Sequence, residues 1–250
     1  MSRGVSLVGW LALLAAGALA WLLTIQSGVG MLPRPGTMGR GFLGFLVLWT
    51  LMMAAMMLPS ITPVVYLYQR SLRARASGWN LVLRSAALVV GYLAAWALFG
   101  AVAFATAGAG SQLATEAPNA APWVGALLLA AAGIYQLTPL KDRCLRHCRS
   151  PVALLLHFGN YRGRLRDLRV GLYHGAYCVG CCWGLMIVLI TVGVMNLPWM
   201  VGLAAVIFIE KTWRYGKAFS VAFGIALLAF ACFVPWRPSL VPGLYMAGAM

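Results

Sequence analysis

The chain has 250 residues, 62% of them apolar and only 9% charged, with 19 basic residues against 4 acidic ones. So little charge in so apolar a chain excludes an ordinary soluble domain. The basic residues gather in a few segments instead of covering a surface, which argues against a nucleic-acid partner. The composition predicts an all-α fold, a polytopic transmembrane helical bundle.

A spanning helix needs ~20 mostly apolar residues. In chain order the candidates are Val5 to Ile25, Phe42 to Tyr68, Leu81 to Gly108, Pro122 to Leu140, Val170 to Val194, Leu197 to Trp213 and Lys217 to Pro235. This makes about seven spans, or six if the short segment from Leu197 is left out. The first follows one arginine and resembles the apolar core of a signal peptide, but Gln26 to Gly41 has no convincing cleavage site, so it reads as a retained helix. With the amino terminus inside, all but Arg34, Arg40 and Arg237 of the 19 basic residues fall on the inner side. The positive-inside rule therefore predicts N-terminus in and C-terminus out. Lipid is then the first partner, with anionic headgroups meeting the basic segments.

Residues 1–250 read as one membrane domain without internal repeats. The outer segment Ala109 to Ala121 is small and Ala-rich, with Glu116 its one charge, and reads as a passive connector. The inner loop 141–169 is long, basic and cytoplasmic, and it contains Cys144, His147, Cys148 and His157. Within it, Pro151 to Phe158 is an apolar patch suited to a short helix on the inner leaflet.

The chemistry concentrates in the fifth span. His174, Cys178, Cys181 and Cys182 stand at offsets of four, seven and eight residues, which places them on one helix face within roughly 100°. Running from inside to outside, that face starts near the inner boundary at His174 and reaches the bilayer centre at Cys181 and Cys182. The second span brings Met52, Met53, Met56 and Met57 to the same depth, and Pro59 and Pro63 are expected to open that helix just beyond them. Glu210, the one carboxylate inside a predicted span, lies at about the depth of His174. It could orient the imidazole as an outer-sphere acceptor, or pair with Lys211 or an arginine. Tyr177 flanks His174, and Gly175 and Gly180 permit close approach of a neighbouring helix.

Thiol and thioether donors form the softest ligand set a protein has and select Cu(I), while imidazole also suits zinc and iron. The scarcity of carboxylates disfavours hard ions. Cys144, His147 and Cys148 read as a second station on the cytoplasmic side, and Cys232, alone in the last span, as a small apolar residue. No catalytic triad, phosphate-binding glycine loop or carboxylate pair is present, which leaves hydrolytic and nucleotide chemistry without support.

The run His174-Gly175-Ala176-Tyr177-Cys178-Val179-Gly180-Cys181-Cys182-Trp183 is joined by several other motifs. They are Gly193-Val194-Met195-Asn196-Leu197, Glu210-Lys211, the methionine motif of Met52 to Pro59, and Tyr135 to Lys141 leading to Cys144 and Cys148. Over residues 42 to 215 these motifs resemble a bacterial family of unknown function described as predicted metal-binding integral membrane proteins. The resemblance implies metal binding. Together with the residues, it leads to a membrane protein that binds a soft transition metal, above all Cu(I), for metal handling, transfer or loading of a partner enzyme. A metal chaperone or a partner metalloenzyme is then the expected protein partner, and an oligomer is compatible with the fold. Two other readings stay open: a thiol-disulfide electron relay, which would make the protein a thiol oxidoreductase, and a structural or assembly subunit of a membrane complex.

Overall fold

The structure is a computed structural model that describes residues 2–28, 35–73, 78–150 and 165–244. Among these residues every regular element is helical: α1 (Ser2–Gly28), α2 (Phe42–Leu72), α3 (Gly78–Glu116), α4 (Ala121–Leu137), α5 (Pro139–Arg149), α6 (Arg166–Thr191), α7 (Leu197–Thr212) and α8 (Gly216–Phe233). Two 3₁₀ turns follow, Val234–Trp236 and Pro238–Leu240. The expected interfacial segment Pro151 to Phe158 lies outside the described residues.

Among the described residues five helical segments are long and apolar enough to cross a membrane: Leu11–Gly28 in α1, then α2, α3, α6, and α8 with the turn that follows it. A sixth arises if α4 and α5, bent by 63° at their junction, form one broken span. The seven-span expectation is not reached, because α4 has 17 residues and α7 has 16. At 1.5 Å per residue α7 reaches about 24 Å, short of a hydrocarbon core of about 30 Å. Conversely α3 runs for 39 residues and absorbs most of the segment expected to be a passive connector. Large apolar side chains such as Leu11, Leu43, Leu98 and Leu127 face outward. Trp79, Trp123, Trp213 and Trp236 are exposed near helix ends, as in the aromatic belts at membrane boundaries. The chain is a multi-pass membrane protein.

Three local features set the site. The first is the α4–α5 bend. Thr138 is extended, the conformation a following proline enforces. Its hydroxyl then caps α5 by accepting from the Lys141 N–H at 3.3 Å. Asp142 in the first turn, and Arg146, His147 and Arg149 in the last, complement the helix dipole. The bend folds α5 back against α6.

The second feature is the close pairing of α3 with α6, the most extensive helix pair in the fold. A Cβ on Gly91 would overlap the Leu168 carbonyl, and one on Gly171 the Leu88 carbonyl, so the two backbones touch. Small residues allow this where lipid supplies no hydrophobic drive between helices.

The third is α2, which runs unbroken through Pro59 and Pro63. The expected opening there is absent because α2 is packed against α1, α3 and α7. The Ser60 and Thr62 hydroxyls bond back to the carbonyls of Met57 and Leu58, at 2.8 and 3.0 Å.

Candidate metal centre

The start of α6 is clamped. Asp167 accepts from the Arg84 guanidinium at 2.9 and 3.0 Å and from the Tyr68 hydroxyl, which ties this end of α6 to α2 and α3. Two turns further on, the helical spacing acts as the sequence implies, and His174, Cys178, Cys181 and Cys182 are all buried. The sulfurs of Cys178, Cys181 and Cys182 lie within 4.8 Å of one another. Cys181 Sγ is 3.3 Å from Cys182 Sγ and 3.2 Å from the Cys178 carbonyl.

A fourth thiol arrives from another helix. Cys148, on the last turn of α5, places its sulfur 3.7 Å from Cys181 Sγ. Cys148 is therefore part of the buried cluster. Cys144, one turn earlier on α5, is half-buried beside Gly180, where an added Cβ would stand 3.0 Å from its sulfur. His147 stacks on Tyr177 at 3.9 Å between centroids and meets Tyr173 edge-on. The three residues expected as a cytoplasmic station thus divide, with Cys148 in the cluster and Cys144 and His147 along its flank.

Cys178 sits at the centre of the polar contacts. Its sulfur is 2.9 Å from the Tyr92 hydroxyl on α3 and 3.0 Å from the Lys211 ammonium on α7. The same ammonium is 3.2 Å from Ser60 Oγ and 4.0 Å from Met57 Sδ, so α2, α6 and α7 meet at one cation. Met52, Met53, Met56 and Met57 are all buried, and Met57 is the one that meets the Lys211 ammonium.

His174 lies outside the three-sulfur group. Its ring stacks on Tyr92, and its Nδ1 is buried with no hydrogen-bond partner among the described residues. Glu210 does not turn toward it. The Glu210 carboxylate is held by the Lys141 ammonium at 2.8 and 3.0 Å and by Gln136 Nε2 at 3.0 Å, and Lys141 also donates to Gln136. Both charged side chains are 1% exposed. Tyr177 faces His147 and Tyr173 across the flank of α6. Cys232 is exposed on α8.

Tyr92 was not among the residues singled out by sequence, and Lys211 entered there only as a possible partner of Glu210 and as part of the Glu210-Lys211 motif. One signal did exist for the lysine. Consecutive helical residues diverge by about 100°, so Lys211 cannot face the partner that Glu210 faces. Tyr92, one aromatic in an apolar span, carries no such signal. Chemically, the arrangement offers four convergent buried thiols with one phenol and one ammonium, and among the described residues no carboxylate reaches it. This donor set fits a soft ion and is unsuited to a hard one.

A multi-pass helical membrane protein with a buried cluster of cysteines is thereby defined. Residues 46–234 match the family described as PpoB2, copper chaperone, and the chain belongs to that family. No curated protein and no solved structure matches it. Family and cluster together support metal handling, with copper a plausible ion.

Proposed function

We propose that the protein binds Cu(I) as cargo at Cys178, Cys181 and Cys182, with Cys148 as the ligand contributed by α5, and passes it to a partner cuproenzyme. The observation that carries this reading is the convergence of four thiols from two helices inside a membrane protein of a copper-chaperone family. Thiolates at this density favour Cu(I) over hard divalent ions, with zinc or iron the weaker alternatives. His174 approaches the cluster from one turn nearer the start of α6. Cys144 and His147 flank the cluster along α5, and Met52, Met53, Met56 and Met57 form a buried thioether series whose Met57 meets the Lys211 ammonium that contacts Cys178. Tyr177 supports His147 in this scheme. Glu210 acts through Lys141, by holding α5 and hence Cys148 in place. The chain would lie in the bacterial inner membrane as a single domain with the N-terminus and the basic segment 141–169 in the cytoplasm, as the distribution of basic residues supports.

Metal analysis of protein purified in detergent under reducing conditions, from cells grown with copper, tests the reading. Stoichiometric copper in the native chain and its loss in Cys178→Ser/Cys182→Ser are expected. A native chain free of copper would overturn it.

The 3.7 Å between Cys148 and Cys181 also favours a second reading, a thiol relay in which these two sulfurs form a disulfide by giving two electrons and two protons to an outer acceptor and are reduced again by a cytoplasmic thiol donor. Thiol trapping in cells separates the two. Full alkylation after denaturation, under both oxidising and reducing challenge, excludes the relay.

A further inference from the structure

The four acidic side chains of the chain are Glu116, Asp142, Asp167 and Glu210. Asp142 is paired with Lys217 and Arg146, Asp167 with Arg84, and Glu210 with Lys141, while Glu116 is exposed at the far end of α3. None is left for Lys211. Its ammonium is nevertheless drawn into the protein, with Cys178 Sγ, Ser60 Oγ and Met57 Sδ as its neighbours. A cation in a bilayer-embedded bundle is costly unless a negative charge stands beside it. Among the described residues, the ionisable groups beside it are the Cys178 thiol, at 3.0 Å, and the Tyr92 phenol that shares this thiol, and a thiol ionises more readily than a phenol.

We propose that Lys211 is the counter-cation of the thiolate centre and the residue that sets its preference for a monovalent soft ion. This rests on the copper-binding reading above and deepens it. A monovalent ion held by two thiolates carries one net negative charge, and the Lys211 ammonium brings the pocket to neutrality. The two ligand thiols lose their protons on loading, and the remaining thiols keep theirs. At any given number of thiolates a divalent centre carries one unit less negative charge than a monovalent one, so the ammonium favours it less. Removing the positive charge therefore penalises the monovalent centre more than the divalent one. The position of the ammonium supports this role. It meets Cys178 from α7 at 3.0 Å, whereas Cys148 comes from α5 and lies 3.7 Å from Cys181.

The experiment is a competition between Cu(I), kept reduced, and Zn(II) for detergent-solubilised native protein, Lys211→Met and Lys211→Arg. Lys211→Met is expected to lower the Cu(I) to Zn(II) affinity ratio by about 100-fold, the scale set by losing a unit charge a few ångströms from the centre. Lys211→Arg keeps the charge and retains the native preference. Should Lys211→Met fail to fold, Lys211→Gln carries the same expectation, since it keeps a polar contact for Ser60 and lacks the charge. An unchanged ratio in the uncharged variants, with copper still lost in Cys178→Ser, overturns the role of Lys211 and leaves the copper site standing. A native protein that binds neither ion overturns the copper reading itself.

Discussion

Replacing Lys141 by methionine should destabilise the protein out of proportion to a single contact. Lys141 and Glu210 are each 1% exposed, and the ammonium lies 2.8 and 3.0 Å from the two carboxylate oxygens. With an effective dielectric near 20, unit charges at this separation attract by about 6 kcal/mol. Lys141→Met removes that attraction and leaves Glu210 buried with Gln136 as its remaining partner. Burying the two charges has its own cost, so the net loss should fall near the ~3 to 5 kcal/mol typical of breaking a buried pair. Lys141→Met/Glu210→Met removes both charges and puts apolar volume in their place, and it should recover most of the loss. Thermal unfolding in detergent, followed by circular dichroism, measures both variants. A loss in Lys141→Met below about 1 kcal/mol would refute the reasoning, as would a double variant no more stable than the single one. The same change loosens α5, so oxidant-driven joining of Cys148 to Cys181 should slow in Lys141→Met and recover in the double variant.

Two further outcomes follow from the packing and the cluster. Gly171→Ala would drive a methyl group into the Leu88 carbonyl, which is backbone and cannot move aside. It should cost about 1 to 3 kcal/mol by the same unfolding measurement, whereas Gly202→Ala, with open space at its Cβ, should be neutral or slightly stabilising. Cys148→Ser should leave the three-sulfur group of α6 intact, so copper is retained with an affinity lowered by about tenfold, read by chelator competition. Cys178→Ser should abolish stoichiometric binding in the same assay.

Much of this was legible from spacing and hydropathy, and the failures have physical causes. The helical period alone placed His174, Cys178, Cys181 and Cys182 on one face, because that relation is local to α6. The arrival of Cys148 was hidden, since it depends on the 63° bend at Thr138 and Pro139, and residue spacing within α5 does not report where a bend sends the helix. Lys141 was counted with the cytoplasmic charges. A charge-distribution rule has no means of seeing that one lysine at a span end turns inward to a carboxylate on α7. Similarly, Glu210 at the depth of His174 suggested contact, but depth fixes one coordinate and leaves the direction around the helix open. Pro59 and Pro63 suggested a broken helix because their missing N–H groups are a local property, whereas the neighbours that keep α2 continuous are not.

The central claim is that thiolates of α6 and α5 hold Cu(I) in the interior of the bundle. The most direct measurement is copper-edge X-ray absorption on the copper-loaded native protein in detergent. The account predicts Cu(I) with a nearest shell of sulfur alone. A shell dominated by nitrogen or oxygen, or copper present as Cu(II), would contradict it.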